Sequence, residues 1–525
     1  MTETFPVESQ GKKIGQPSFL KRADRVFFIC LFSLACISLW PIWGVHFLPM
    51  QDYPQHLFIS KILATYNEPA YDWHTYYAVD LRPTPYSLSY IFKNLLARVV
   101  DLETAGRILL SLYVGFIALL VVLLRKRHGT AGEPWPLLLL FPFLFNQIYY
   151  LGIENYLIAI PILFLCIEHL DRFADRKTSA KSISIHALLL VFLFAAHPYT
   201  LLVYIVFCLA TASIRLPDRG AFLRTIVPAT ILCVIIVTWY LYFSAKLDQA
   251  RYDYYGLSWW SLKATLLYFL LPFTGMRITG GVNWMVMSIW TLMFAVILFG
   301  GIQRKEWFSL PVKEVRLFLL TSIGYFVLPF GAVNYSYFNL RLAPISYILL
   351  CIILSRIPLK KSHGIILAVL TAFLVVFSLN LARSISSETE EILPILKKME
   401  PNALILPLLF DASSKELDPL FFYQFHSHDH DYYHVLVGGG ANPLNIRNPF
   451  FPVQFQKYVA LPLPATPEKF TWESHGVNYR YILTRGGGQD FTDRLQKESR
   501  LVLRSGKWAL FEHSLGSQFP RSFNP

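Results

Sequence analysis

The sequence predicts a mainly α, polytopic membrane helical bundle with a soluble α/β domain at its C-terminal end. Three observations carry that prediction. Of the 525 residues, 54% are hydrophobic and only 15% charged, with a mean hydropathy of +0.43, whereas soluble globular chains carry about 25% charged residues. Apolar runs of membrane-spanning length recur up to residue 382, and residues 383–525 then read as an ordinary mixed sequence. The basic residues, which leave a net charge of +13, gather at the ends of the apolar runs, as they do where they set the orientation of a polytopic protein. The basicity is therefore topology, not nucleic-acid affinity. The chain divides into a membrane domain, 1–382, and an extracytoplasmic domain, 383–525.

A hydrocarbon core about 30 Å thick takes roughly 20 apolar residues per helix. About eleven transmembrane helices follow, at 26–47, 107–124, 135–150, 152–170, 183–197, 199–214, 225–244, 282–301, 315–332, 341–356 and 363–382. The stretch 183–214 reads as a tight hairpin or as one broken helix. Lys12, Lys13, Lys21, Arg22 and Arg25 precede the first span and set the N-terminus in the cytoplasm. Alternation then places five more basic clusters inside, around Arg125, Arg172, Arg215, Arg304 and Arg356. The short outer loops near 146–154, 197–200 and 333–340 hold no Lys or Arg. An odd count puts the C-terminal domain opposite the N-terminus. The first apolar run lacks a small-residue cleavage site and is expected to be a retained anchor.

Two outer loops are long, 48–106 and 245–281. The first carries apolar residues at helical spacing between prolines, which predicts short helices lying on the bilayer. The second has a Tyr/Trp-rich stretch and then a short apolar run, 262–276, bounded by Gly and Pro. That run is expected to be re-entrant or interfacial, because a crossing there would break the charge rule downstream.

In the tail, "NALILPLLF" (402–410) and "YRYILTRGG" (479–487) predict buried strands. "EEILPILKKM" (390–399) and "DFTDRLQKE" (490–498) predict helices, and "RLVLRSGKWALFEH" (500–513) a hairpin turning at Ser505-Gly506. The glycine runs 438–440 and 486–488 lack the setting of a phosphate-cradling loop. All six cysteines lie in apolar runs, which excludes a disulfide framework and a CxxC metal pair. "HSHDHDYYH" (426–434) is the most metal-like string: His426, His430 and His434 share a face if helical. The plainer reading is a polar, pH-sensitive outer loop.

Ionisable residues are scarce near the centres of the spans, which argues against a proton relay through the bilayer. The unusual polar residues collect instead at the outer mouths of the spans. Asp52 and His56 follow the first, in "LPMQDYPQHL" (48–57). Asn146, Gln147, Glu154 and Asn155 lie between the third and fourth, and His197 between the fifth and sixth. Asn334, Tyr335 and Arg341 precede the tenth, and Tyr252, Tyr254, Tyr255, Trp259 and Trp260 lie at the same level. A carboxylate there can take a proton from an attacking hydroxyl. An Arg can pair a lipid-linked phosphate with two-pronged geometry, and aromatic faces can stack on sugar rings. Asp52 suits the base; His56 can bond Asp52, position a phosphate, or join Asp52 on a divalent cation. Each residue also has a plain role: Asp52 as a helix cap with Pro54 in the first turn, Arg341 snorkelling, Glu154 a solvated turn residue, His197 bonded to a carbonyl, and the aromatics a belt.

With those residues in place, the chain resembles the GT-C superfamily of polytopic glycosyltransferases, in its bacterial inner-membrane branches. The likeness rests on Asp52 directly after the first span, the long first outer loop, "YYLGIENYLIAIPILFL" (149–165), "FNLRLAPISYILL" (338–350) and "GKWALFEH" (506–513). It implies an inverting transferase that moves a sugar from a polyprenyl-phosphate-linked donor to a hydroxyl of a glycan, lipid or protein acceptor, in cell-envelope assembly. It implies Asp52 as catalytic base and Arg341 on the donor phosphate, with His56, Glu154, His197, Tyr255 and Trp259 as further substrate-binding candidates. Some members hold a metal on paired acids of the first loop; here only Asp52 and His56 offer a counterpart. A flippase or transporter of lipid-linked glycans would show two matching halves, which are not found. A non-catalytic envelope scaffold is the third reading.

Overall fold

The computed structural model describes residues 22–81, 84–128, 134–175, 179–244, 255–270, 281–303, 311–333, 336–357, 359–417, 424–444, 451–456 and 461–514. It is mainly helical. The first span is α1 (Arg22–Ser38), continued by the short α2 (Trp40–Trp43). The long loop 48–106 folds into α3 (Tyr53–Thr65), the turn α4 (Trp73–Tyr76), strand β1 (Tyr77–Val79) and α5 (Ser87–Leu96). After it come α6 (Leu102–His128), the short α7 (Gln147–Leu151), α8 (Glu154–Asp175), α9 (Ala180–Ala196), α10 (Pro198–Ile214) and α11 (Arg219–Ser244). The chain goes on through β2 (Tyr255–Ser258), α12 (Leu262–Leu270), α13 (Gly281–Gln303), α14 (Val312–Val327), β3 (Gly331–Val333), α15 (Leu342–Leu354) and α16 (Lys361–Glu390).

Five stretches among the described residues are long and apolar enough to cross a membrane: Arg25–Trp43, Leu102–Lys126, Arg219–Leu241, Trp284–Ile302 and Lys361–Leu396. Shorter apolar segments lie at Trp135–Leu151, Ala180–Ala196, Pro198–Ile214 and Leu342–Leu354. The expected eleven full-length spans are thus not reached. The expected span 135–150 shows why. Pro136 and Pro142 lack the N–H that an α-helix needs and clash with the preceding turn, so the segment winds as two 3₁₀ pieces, Trp135–Leu140 and Pro142–Phe145, before α7. It is nevertheless buried, wedged against α15 and α16. The stretch 183–214 is two helices, because His197 is extended (φ −161°) and Pro198 opens α10. The run 262–276 is helical over Leu262–Leu270, and the rest of it lies outside the described residues. Large apolar side chains stand exposed along α1, α9, α11, α13 and α16, among them Phe32, Val191, Val234, Phe299 and Val369. Helix faces of that kind fit a membrane, where apolar exposure has no hydrophobic cost.

The tail begins with α17 (Leu393–Leu396) and continues through β4 (Ile405–Leu409), α18 (Tyr432–Leu436), β5 (Val453–Phe455), β6 (Tyr481–Arg485), α19 (Gln489–Leu495), β7 (Ser499–Ser505) and β8 (Trp508–His513). Its four-stranded sheet has the order β4-β6-β8-β7, with β4 parallel to β6 and the other pairs antiparallel. The expected hairpin turns at Gly506, whose φ of +55° falls in the left-handed region. The boundary drawn at 382/383 falls within α16, which runs on to Glu390.

The tail shares a core with the loop 48–106. Strand β1 pairs antiparallel with β5, Tyr77 opposite Phe455. Phe58, Ile59, Trp73 and Tyr77 of the loop are fully buried with Leu406, Val453, Tyr479 and Phe511 of the tail. Burying such side chains stabilises by about 1.5–3 kcal/mol each, so loop and tail hold each other in place.

Candidate functional site

Asp52 lies in the turn that leads from α2 into α3, and neighbouring elements fix that turn. The N–H groups of Gln51 and Asp52 donate to the carbonyls of Tyr150 (2.8 Å) and Leu151 (3.1 Å) at the end of α7. Arg107 of α6 donates to the carbonyls of Ile42 and His46. Helix α7 forms because the Asn146 side-chain oxygen accepts from the N–H groups of Ile148 (2.8 Å) and Tyr149 (3.2 Å). It ends at Gly152, with φ +80°, where an added Cβ would lie 2.7 Å from the Asp52 nitrogen. Only glycine lets α7 and the Asp52 turn approach this closely.

The capping explanation for Asp52 fails. Asp52 holds the N-cap position and Pro54 lies in the first turn, yet its backbone is αR and its side chain makes no capping hydrogen bond. Its carboxylate accepts from Gln51 Nε2 at 3.3 Å and lies 3.7 Å from His428 Nε2, with 31% of the side chain exposed. Burial raises its pKa, against the opposing pulls of His428, the Gln51 hydrogen bond and the Arg341 guanidinium. Asp52 and Arg341 thus lie within electrostatic reach of each other.

Arg341 stands just before α15 and is 7% exposed. Its guanidinium lies 6.0 Å from the centre of the Tyr199 ring. Among the described residues it pairs with no carboxylate, and its Nε has no hydrogen-bond partner. Beside it, His197 caps α10, its Nδ1 accepting from the Tyr199 N–H at 3.1 Å. Acceptance at Nδ1 puts the proton of the neutral ring on Nε2, which is buried without a partner. The rings of Tyr86 and Tyr156 meet His197 edge-on, centroids 4.7 and 5.1 Å away, and Tyr156 donates to the Arg341 carbonyl. Two buried donors, Arg341 Nε–H and His197 Nε2–H, therefore lie beside the same aromatic rings and have no acceptor among the described residues.

The other expected site residues are placed differently. His56 does not bond Asp52: its Nδ1 is 2.7 Å from the Tyr90 hydroxyl, and burial pulls its pKa down to about 4, so the ring is neutral. Glu154 is not a solvated turn residue. It is fully buried in the first turn of α8 and accepts from Lys93 Nζ at 2.5 Å. Asn155 Oδ1 accepts from the Ser89 N–H at 3.1 Å. Trp259 is 57% exposed and donates to the Val327 carbonyl of α14. Tyr255 opens β2, and its side chain, like Tyr252, Tyr254, Asn334 and Tyr335, lies outside the described residues.

The histidine string is a 3₁₀ turn, Asp429–Asp431, running into α18, and its rings do not converge. His426 Nδ1 faces Asp429 (2.6 Å) and its Nε2 faces Glu388 (3.0 Å). His434 donates to the Gly439 carbonyl (2.9 Å), accepts from Asn442 (2.9 Å) and stacks on Phe58. His430 lies 3.6 Å from Asp431. No three His, Cys, Asp or Glu side chains among the described residues form a metal-holding group. The arrangements expected of Asp52 with His56, and of His426 with His430 and His434, are not met, since a zinc or similar centre needs three or more convergent ligands.

Three functional neighbours escaped the sequence reading: Lys93, Tyr90 and the pairing of His428 with Asp52. The first two are a lone Lys and a Tyr on the short amphipathic α5, a signal that was readable. The third depends on the tail folding back over α3, which no local pattern reveals. The sequence matches no protein-family model and no curated protein.

Proposed function

We propose that this protein is a membrane glycosyltransferase of GT-C type. It moves a sugar from a polyprenyl-phosphate-linked donor to a hydroxyl acceptor at the extracytoplasmic face of a bacterial inner membrane, in the service of cell-envelope glycan assembly. The observation that carries the reading is the buried Arg341, without a carboxylate partner among the described residues and within electrostatic reach of Asp52. Burying an unpaired guanidinium costs several kcal/mol, a cost that an arriving phosphate would offset through charge-assisted hydrogen bonds. His197 Nε2–H supplies a second donor, and the Tyr86, Tyr156 and Tyr199 faces suit a sugar or a lipid phosphate neck.

In this reading Asp52 removes the proton of the acceptor hydroxyl. The hydroxyl oxygen forms a bond to the anomeric carbon from the face opposite the phosphate. The anomeric C–O bond breaks, and its electron pair leaves on the phosphate, which Arg341 and His197 stabilise. The products are the glycosylated acceptor, with inverted configuration, and polyprenyl phosphate.

The test is transfer from short-chain polyprenyl-phosphate sugars by full-length protein in lipid nanodiscs, with a panel of hexose and pentose donors. Asp52→Asn is expected to insert and fold while losing at least a hundredfold in kcat. Wild-type turnover by that variant would remove Asp52 as base. A scaffold would instead show no donor turnover in any form.

A further inference from the structure

We propose that the C-terminal domain completes the catalytic centre through His428, which acts as the positioning and proton-accepting partner of Asp52 and is itself oriented by Asp431. This rests on Asp52 being the base. His428 stands between two carboxylates: Nε2 is 3.7 Å from Asp52 Oδ1 and Nδ1 is 3.6 Å from Asp431 Oδ2. A small side-chain rotation closes either gap to hydrogen-bond distance. The arrangement is acid, imidazole, acid, with the reacting acid in the membrane body and the other two groups in the tail.

The three groups differ in exposure in the way a proton exit requires. Asp431 is fully buried, while Asp52 is 31% and His428 20% exposed. Asp431 Oδ1 accepts from Asn442 Nδ2 at 3.2 Å, which steadies the carboxylate with its other oxygen toward His428. The backbone between is clamped as well. Tyr432 packs on Phe47, and His434 stacks on Phe58, so the segment 426–434 is fixed to both sides of the Asp52 turn. A solvated polar loop would not need such anchoring.

Each catalytic cycle leaves a proton on the Asp52 carboxyl, and that proton must go before the next acceptor binds. It moves from Asp52 to His428 Nε2, giving an imidazolium beside the Asp431 carboxylate, and from the part-exposed ring to water. No electrons change hands, and the net product is one proton in bulk solvent. Among the described residues, the charged or titratable groups facing His428 are Asp52 and His56 of the α3 segment and Asp431 and His430 of its own turn. His56 is neutral, which leaves Asp52 and Asp431 as the carboxylates among them.

The inference has a readout that needs no turnover. In full-length protein carrying ¹³C-histidine, the His428 resonance is identified by its loss in His428→Asn or His428→Gln. Asp52→Asn removes one of two flanking negative charges and is expected to lower the His428 titration midpoint by about one pH unit. An unmoved midpoint overturns the inference, whatever Asp52→Asn does to transfer. In the transfer assay, removal of an imidazolium beside Asp52 raises the carboxyl's pKa, so His428→Asn should shift the acid limb of kcat/KM upward by about one unit. An unshifted limb with lowered kcat would mean a merely structural His428 and would also overturn it.

Discussion

Lys93 Nζ meets Glu154 Oε1 at 2.5 Å with neither side chain exposed to solvent, so a helix of the loop 48–106 is tied to the first turn of α8 by a buried charge pair. Burial lowers the Lys93 pKa and Glu154 opposes that shift, which keeps the pair together as ions only while both are present. Lys93 also reaches the His56 carbonyl at 3.4 Å. The pair therefore ties α5 and α8 to the backbone of α3 one turn beyond Asp52.

Removing one partner strands the other, so Lys93→Met or Glu154→Leu alone should destabilise by about 3–5 kcal/mol. The double variant Lys93→Met/Glu154→Leu should recover more than half of that loss, because no charge is left buried. Thermal unfolding in one detergent, run as a double-mutant cycle, measures both values. Additive losses would show that the pair is not coupled.

Arg341 makes its own prediction. Arg341→Lys keeps the charge and loses the planar fork, while Arg341→Ala loses both. Affinity for farnesyl phosphate, a short analogue of the expected lipid product, should fall about tenfold in the first and about a hundredfold in the second, in line with roughly 1.5–3 kcal/mol for a hydrogen bond to a charged group. Isothermal titration in detergent gives the constants. Equal binding by all three proteins would mean that the guanidinium holds no phosphate.

Gly152 tests how tightly the Asp52 turn is placed. A side chain there must adopt a φ near +80° and force its Cβ against the Asp52 nitrogen. Gly152→Ala should cost about 1–3 kcal/mol in strain and, with Asp52 as the proposed base, lower kcat more than it raises KM, since the turn that carries Asp52 is what moves. Gly488→Ala, at a glycine with open space around it, is the matched control and should change neither.

Much of this architecture was readable in the chain. The run of hydrophobicity marked α1, α6, α11, α13 and α16, because a long apolar helix is specified by local composition alone. The tail strands β4 and β6 and the hairpin at Gly506 followed from short apolar runs and turn chemistry in the same way. The eleven-span count failed at Pro136 and Pro142, where hydropathy cannot tell an α-helix from buried 3₁₀ turns. Asp52 and Arg341 were legible because charge at a span end is locally unusual. The partnering of Glu154 with Lys93, of His56 with Tyr90, and of His428 with Asp52 was not. Those contacts join segments far apart in sequence, and pairing of that kind is decided by packing, not pattern.

The last prediction concerns the joint between α16 and the tail. His426 is buried, with Asp429 on one ring nitrogen and Glu388, near the end of α16, on the other. Burial works against its charge, but the two carboxylates carry its pKa above the ordinary imidazole value. Folding therefore favours the protonated ring. The stabilisation is complete below the unfolded value, about 6.5, and is lost as pH rises through the higher folded value. Amide hydrogen exchange in residues 424–436, corrected for intrinsic rates, should quicken several-fold on going from about pH 6 to about pH 8.5. His426→Asn should exchange faster at the lower pH and lose most of that dependence. A wild-type segment equally protected at both values would show that the ring is held by hydrogen bonds alone, without its charge.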